Sequence, residues 1–484
     1  MAVNLRLVCS LLGPAVFWFG ITALVPAAYS AFCFPRGIAA FGGCALAAVL
    51  LSLALRRLGR GSARSASIRD LFVFTVALWC ITTLLAALPF AASLPDMSYA
   101  SSLFESASGL STTGATVIEH LDLRPRPVLL WRSMLQFLGG IGFVAIAAAV
   151  LPAASAGGMN LFRTESSSFD GRTKITPHVK TMALGFLAWY LLTLVLCAFF
   201  YVLGGFRPFI ALNAALCTVS TGGMMPIDSS MNGVSPFIQY TAIIFMFLGS
   251  CPFMLILGSL SGNMLTFFRD QQVRGFFKLC LVVSLAVALS LVVCNHYDPE
   301  RALRTASFNV IAVLSSTGFG FEDFTSWNPF AAVVFFIILG IGGCSGSTAG
   351  GIKIFRLQIC YSMLKSQFLK TIHPHLVAEP RFNRRIIDSD TLRSVITYIV
   401  AYLLVTIASA TAACCFGLSI TDAFSATISC LSNIGPVVGI SLSPSTSYAL
   451  LSDPLHLIFA FDMILGRLEI LPVLLCLTRM FWRS

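Results

Sequence analysis

Long apolar runs alternate with short polar ones along almost the whole chain. Runs of about 18 or more apolar residues, enough to cross a hydrocarbon core as a helix, recur from Leu7 onward. This pattern predicts ten spans. Two lie near 8–30 and 38–55 and are closed by the Arg-rich stretch RRLGRGSARSASIR; eight more follow in a pattern repeated four times. Each repeat has a first span, a short amphipathic stretch ending in a polar glycine turn, and a second span. The first spans start near 70, 178, 278 and 394, and the second run near 128–152, 235–262, 329–357 and 454–480. The first apolar run, Leu7 to Ala28, lacks a convincing cleavage site and so predicts a span rather than a removable leader.

The repeat is legible in individual residues. The polar turns are STTGAT (111–116), VSTGGM (219–224), SSTGFG (315–320) and LSNIGP (431–436). Aligned on Gly114, Gly222, Gly318 and Gly435, they place Thr112, Ser220, Ser316 and Asn433 two positions before the glycine, and Thr113, Thr221, Thr317 and Ile434 one before. Each second span carries a Leu-Gly step in a similar phrase, QFLG, MFLG, IILG and MILG, 25, 27, 22 and 31 residues after the turn glycine. The stretches before the turns, SLFESASGLS, FIALNAALCTVS, LRTASFNVIAVLSS and TDAFSATISCLS, are too short and polar to span, which predicts re-entrant half-helices. Non-helical backbone persists at membrane depth only where protein or a water-filled cavity satisfies its carbonyls. Four such turns therefore imply a central cavity with pseudo-fourfold symmetry. A single Ser/Thr/Gly turn would read as an outer loop or a small-residue packing contact.

Composition supports the membrane class. Of 484 residues, 57% are hydrophobic and 11% charged, where a soluble domain has about a quarter charged. The net charge of +11 is a matter of topology rather than a nucleic-acid footprint: 23 of the 31 Lys and Arg fall on one side of the predicted spans. That side holds Arg6, the cluster Arg56 to Arg69 with Arg64, the loop cations Arg163, Arg172, Lys174 and Lys180, the eight cations from Lys353 to Arg393, and both termini. The positive-inside rule makes it cytoplasmic. The fifteen cysteines are scattered through apolar runs without ligand spacing and predict packing.

The turns suggest a chemistry. Rings of backbone carbonyls replace the water shell of a monovalent cation. Half-helices whose C-terminal ends lead into the turns add partial negative charge at the cavity, whereas an anion site would call for helix N-termini. Hydroxyls are present, but the sequence pairs no His or carboxylate with them as nucleophile and base at membrane depth, as an intramembrane enzyme would need.

The four-fold span–half-helix–span pattern, the turns TTGAT, STGG, STGF and SNIGP, and the later GGCSGSTAGGIK and GRLEI resemble the Trk/Ktr potassium-uptake superfamily. The additional N-terminal hairpin is similar to the TrkH/TrkG-like branch of membrane subunits. The resemblance covers the chain from about residue 70. It implies an all-α polytopic membrane protein with four pseudo-symmetric repeats around one K⁺ pore, plus the two-span hairpin. The corresponding division is 1–69 for the hairpin and basic loop, 70–155, 156–270, 271–375 and 376–484 for the four repeats. It implies a filter at Thr112, Thr113, Gly114, Ser220, Thr221, Gly222, Ser316, Thr317, Gly318, Asn433, Ile434 and Gly435. K⁺ is then the transported ion, with no organic cofactor in this chain. The partners implied are a second copy in a homodimer, a cytosolic nucleotide-binding TrkA-like subunit and membrane lipid, in the cell (inner) membrane. Two features depart from the pattern: Ile434 carries no hydroxyl, and Met224-Met225 stands where the family more often has an aromatic and a small residue.

Residues 340–351, GIGGCSGSTAGG, interrupt a second span and cannot make a firm helix. GSTAGGIK lacks the G-K-[ST] ending of a P-loop. The resemblance implies an intramembrane gate here, with Gly342, Gly343, Gly346, Gly350 and Gly351 as its flexible points, Lys353 at the cytoplasmic face and Arg467 in the pore below the filter. In a continuous span Asp462 and Glu469 would share one helix face and Arg467 would point elsewhere. A proton- or Na⁺-coupled symporter is the alternative, with Asp462, Glu469 and His456 as the titratable candidates. Glu105, Glu119, Asp122, Asp228, Glu322, Asp323 and Asp422 read mainly as solvated outer charges. His373 and His375 make a poor metal pair, and the basic stretch around them is suited to a partner or to anionic lipid.

Overall fold

The structure, a computed structural model, describes residues 3–61, 66–154, 179–260, 262, 265–444 and 447–483, with side chains at all of these except 143–154, 179–183 and 260. Arg64, Arg163, Arg172, Lys174 and the boundary at 155/156 lie outside the described residues, as does the side chain of Lys180.

The described chain is predominantly helical. In order the helices are α1 (Leu5–Thr22), α2 (Leu24–Cys33), α3 (Pro35–Leu58), α4 (Ile68–Ser93), α5 (Tyr99–Leu110), α6 (Arg126–Ala154), α7 (Val179–Leu203), α8 (Pro208–Val219), α9 (Pro236–Gly249) and α10 (Phe253–Leu260). There follow α11 (Leu265–Arg269), α12 (Gln271–Asn295), α13 (Pro299–Leu314), α14 (Pro329–Ile338), α15 (Ile354–Ile372), α16 (Ser389–Cys415), α17 (Ile420–Leu431), α18 (Asp453–Arg467), α19 (Leu471–Leu477) and α20 (Arg479–Trp482). Two strands of two residues, β1 (Ile341–Gly342) and β2 (Ile352–Lys353), pair in parallel.

Among the described residues, six helical segments are long and apolar enough to cross a membrane, or seven if the pair α9–α10 counts as one. That pair is bent by 94°. The expectation of unbroken second spans thus needs correcting in the second and fourth repeats, while the interruption expected at 340–351 in the third is present. The second repeat bends between Gly249 and Phe253; the third leaves helix at Ile338 and resumes it at Ile354; the fourth ends at Arg467. Glycine accounts for part of this, and in the fourth repeat Glu469 and Ile470 take positive φ.

Local sequence explains where elements begin. Proline occupies the first turn of α8, α9, α13, α14 and α18, where its missing N–H costs nothing. Ser98, Asp298 and Ser419 cap the short helices α5, α13 and α17. Ser67 and Asp70 form a capping box at the start of α4, and Asp70 also accepts from the Asn4 N–H at 2.7 Å, tying the hairpin to the body. Within the hairpin, Gly20 lies against Ala48, and Ser52 Oγ donates to Gly13 O at 2.6 Å, so α1 and α3 approach through small residues.

Polarity is inverted relative to a soluble protein. Leu191, Val195 and Phe199 on α7, Val282, Leu285 and Leu289 on α12, and Leu403, Leu404 and Ile407 on α16 face outward. The buried centre holds Ser106, Ser108, Thr112, Thr113, Ser220, Thr221, Ser315, Ser316, Thr317, Ser432 and Asn433. An apolar exterior suits hydrocarbon; a polar interior needs internal partners.

Candidate functional site

Four short helices, α5, α8, α13 and α17, of 12, 12, 16 and 12 residues, end in the same way. Each finishes on an apolar residue (Leu110, Val219, Leu314, Leu431) and is capped by serine (Ser111, Ser220, Ser315, Ser432). The next residue is left-handed: Thr112, Thr221, Ser316 and Asn433 have φ of 57°, 53°, 54° and 53°. The residue after it donates its N–H back five positions, from Thr113 to Ser108, Gly222 to Cys217, Thr317 to Ala312 and Ile434 to Ser429, at 2.8–3.0 Å. This is the Schellman arrangement, which satisfies the last carbonyls of a helix. A glycine at positive φ follows each time: Gly114, Gly223, Gly318 and Gly435.

The equivalent positions correct the register of the second turn by one residue. Its triplet is Thr221-Gly222-Gly223, and Ser220 is the helix cap matching Ser111. Two adjacent glycines made the sequence alignment ambiguous, and only the backbone conformation separates them.

The turns meet in a closed cycle. A Cβ on Gly114 would overlap the carbonyl oxygen of Gly222, one on Gly223 that of Thr317, and one on Gly318 that of Ile434. One on Gly435 would lie 2.6 Å from that of Thr113. Each turn thus packs its left-handed glycine on the preceding carbonyl of the next, and the fourth returns to the first. Only a glycine fits at these contacts, for space as well as for φ.

On one side the ring opens into a cavity of about 600 Å³ lined by Gly114, Gly223, Gly318 and Gly435, with Glu119, Asp228 and Glu322 further out. These carboxylates are engaged: Asp228 accepts the Leu121 N–H at 2.8 Å, Glu322 pairs with Arg301 at 3.0 Å, and Glu119 accepts from Ser447 at 2.8 Å. Asp122 and Asp323 are not among the lining residues. Glu105 and Asp422 are not solvated charges at all. Asp422 is buried and accepts from the N–H groups of Ile440, Ser441 and Leu442. Glu105 is fully buried; Arg132 Nε approaches it at 2.6 Å and the Val117 N–H at 2.9 Å.

On the other side lies the glycine-rich loop, held at its base by the β1–β2 pair. It touches three of the turns. Thr348 Oγ1 accepts from Thr221 Oγ1 at 3.0 Å and donates to Gly249 O at 3.0 Å; the Gly350 N–H donates to Ser316 Oγ at 2.7 Å; and a Cβ on Gly350 would strike Ser432 O beside Asn433. Gly342, Gly343, Gly350 and Gly351 are buried, while Gly346 is exposed. The Cys344 N–H donates to Ser250 O at 3.0 Å, in the bend between α9 and α10. Lys353 is buried and its Nζ donates to Ala349 O, inside the loop rather than at an open face.

Arg467, at the end of α18, donates through Nη1 to Thr348 O at 2.6 Å and through Nη2 to Gly139 O at 3.2 Å. It therefore fastens the loop to α6. Because the helix ends there, Asp462 and Glu469 do not share a face. Glu469 pairs with Arg356 at 2.5 Å, and Asp462 accepts from Ser409 Oγ. Among the described residues no group of three or more His, Cys, Asp or Glu could hold a metal ion, which leaves His373 and His375 without further ligands.

Three polar anchors escaped the sequence reading: the Glu105–Arg132 pair, Gln136, whose amide meets Gly222 O, and Tyr448, whose hydroxyl donates to Gly435 O at 2.9 Å. For Gln136 a signal existed. It is the first letter of QFLG, where the other three phrases begin with Met, Ile and Met.

Comparison with known proteins places this arrangement. The family described as TrkH, cation transport protein, matches residues 45–483. The Trk system potassium uptake protein TrkI of Halomonas elongata is 36% identical over 418 residues, covering 86% of this chain and 84% of its own. The TrkH of the same organism is 30% identical over 486 residues, end to end in both. The crystal structure of the potassium transporter TrkH from Vibrio parahaemolyticus superposes with a TM-score of 0.89 at 27% identity, covering 99% of this chain and 100% of that one.

Proposed function

The chain belongs to the TrkH family of cation transport proteins, a family of multi-pass transporters and not of enzymes, and on that premise we propose that it carries K⁺ into the cell through the four-turn ring. The observation that carries this reading is the cyclic packing of the four left-handed glycines on one another's carbonyls. A closed cycle of turns, each at a helix C-terminus, presents backbone oxygen and partial negative charge around one axis, which is what a dehydrated monovalent cation requires. The filter residues are Thr112, Thr113, Gly114, Thr221, Gly222, Gly223, Ser316, Thr317, Gly318, Asn433, Ile434 and Gly435.

The glycine-rich loop is the gate. It seals the ring from the side opposite the outer cavity, and Arg467 holds it shut. Opening requires the loop to leave Thr221, Ser316 and Arg467, which the hydrogen bonds on Thr348 and Gly350 make a discrete event rather than a drift. The side bearing most Lys and Arg is cytoplasmic, with both termini, and the protein works as a homodimer with a cytosolic nucleotide-binding TrkA-like subunit in the inner membrane. A coupled symporter is the less favoured reading. Asp462, Glu469 and His456 are all absent from the cavity lining, and His456 is engaged with Tyr448 O at 3.0 Å.

The test is cation flux into proteoliposomes of the full chain with its partner, with K⁺ competed by Na⁺ and Li⁺, for wild type and Gly114→Ser. Wild type prefers K⁺; the serine, strained at φ 87° and pressed on Gly222 O, admits Na⁺. A wild-type protein indifferent to the cation would overturn the filter assignment.

A further inference from the structure

The four turns share one path but are held in two ways. In the first and third the middle residue is threonine, and its hydroxyl meets that of the capping serine: Ser111 with Thr113 at 2.6 Å, and Ser315 with Thr317 at 2.7 Å. The second and fourth, which face each other across the cycle, have Gly222 and Ile434 there and cannot form this bond. Amide side chains replace it. Asn433 Nδ2 in the fourth turn donates to Thr113 Oγ1 at 3.0 Å and to Met463 O at 2.8 Å. In the second turn the brace comes from outside. Gln136 on α6 donates through Nε2 to Gly222 O at 2.5 Å and accepts the Met224 N–H on Oε1 at 3.1 Å.

Gln136 is fully buried, and a Cβ on Gly222 would overlap its amide. The corresponding positions three before the Leu-Gly glycine are Met246, Ile337 and Met463, none of which offers an amide. One helical turn earlier on the same face of α6, Arg132 Nη1 donates to Met225 O at 3.1 Å. The segment 222–225 is thus held at three backbone atoms by two side chains of the neighbouring repeat.

We infer that Gln136 is a positioning residue for K⁺ discrimination, fixing the carbonyl of Gly222, and that residue 222 is glycine because the Gln136 amide fills the space a side chain would take. The inference rests on the ring being the selectivity filter. A carbonyl tethered through an N–H keeps its plane, so the ring resists closing around a smaller ion. The fourfold cycle is in this respect twofold, with hydroxyl-braced turns 1 and 3 alternating with amide-braced turns 2 and 4.

The experiment measures K⁺ flux and its competition by Na⁺ in proteoliposomes, alongside thermal melting in detergent. The proteins are wild type, Gln136→Met, Gln136→Glu, Gly222→Thr and the double variant Gln136→Ala with Gly222→Thr. Gln136→Met keeps the volume and removes both bonds; Gln136→Glu keeps the acceptor and removes the donor. Both are expected to lower the K⁺-over-Na⁺ preference by roughly fivefold, the worth of one hydrogen bond, beyond any change in total flux. Gly222→Thr alone clashes and loses the preference. The double variant regains it, because a threonine there can meet Ser220 as Thr113 meets Ser111. A folded Gln136→Met with the wild-type ratio overturns the inference. Should Gln136→Met not fold, Gln136→Glu with the wild-type ratio, or a double variant no better than Gly222→Thr, overturns it equally. Wild type without K⁺ preference instead brings down the filter reading on which this rests.

Discussion

Glu105 and Arg132 are both almost completely buried, and each is the other's only compensating charge among the bonds described at that site. Thr116 lies between them, bonded to Arg132 Nη2 at 3.0 Å and to the Glu105 carboxylate at 3.1 Å. Removing one member of such a pair leaves a charge without a partner, at a cost of about 3–5 kcal/mol. Glu105→Ala is therefore expected to lower the melting temperature in detergent sharply, and Glu105→Gln, which keeps an acceptor for Val117 N–H, less so. Equal melting of all three proteins would show the pair to be dispensable. At this scale the sequence was only partly legible. The hydroxyls and glycines of the turns stood out as a type, but a carboxylate on a half-helix looks the same in sequence whether it faces water or an arginine. Likewise GG at 222–223 cannot say which glycine takes positive φ.

Elements were more readable than residues. The four polar stretches too short to span are four short helices, and their serine caps and proline starts follow known rules of local structure. The break in the fourth repeat's second span was less visible, since a Gly-Arg-Leu-Glu sequence is compatible with unbroken helix, whereas Glu469 and Ile470 take positive φ there and Glu469 pairs with Arg356. The loop from Gly340 to Gly351 was legible as non-helical from composition, but its contacts were not. Arg467 binds it through a carbonyl, Thr348 O, that no sequence pattern could single out. A hydrogen bond from a charged group is worth about 1.5–3 kcal/mol. If this one exists only with the loop in place, Arg467→Gln raises the open fraction by about tenfold or more. Basal K⁺ flux without the partner subunit measures this; unchanged flux would mean that Arg467 does not secure the closed loop.

For the whole molecule, hydropathy was enough to read a multi-pass membrane protein, because it sums over many residues, and the Lys/Arg asymmetry proposes an orientation on the same kind of sum. The orientation predicts that a fluorescent protein fused after Ser484 is bright and that alkaline phosphatase fused there is inactive, whereas phosphatase inserted near Arg124 is active. The reverse pattern would invert the topology. What hydropathy cannot supply is closure. The fourth turn reaches the first through Asn433 and Thr113, 320 residues apart. Thr112, Thr221, Ser316 and Asn433 hold a backbone conformation unfavourable to residues with a Cβ, by about 1–2 kcal/mol each, and each depends on its neighbours to keep it. A chain made from its N-terminus therefore cannot close the ring until its last turn has been synthesised. For most of its biogenesis the protein is an unclosed arc in the bilayer, with polar backbone waiting for a partner still on the ribosome. The moment of greatest vulnerability to quality control is then just before the last hundred or so residues arrive.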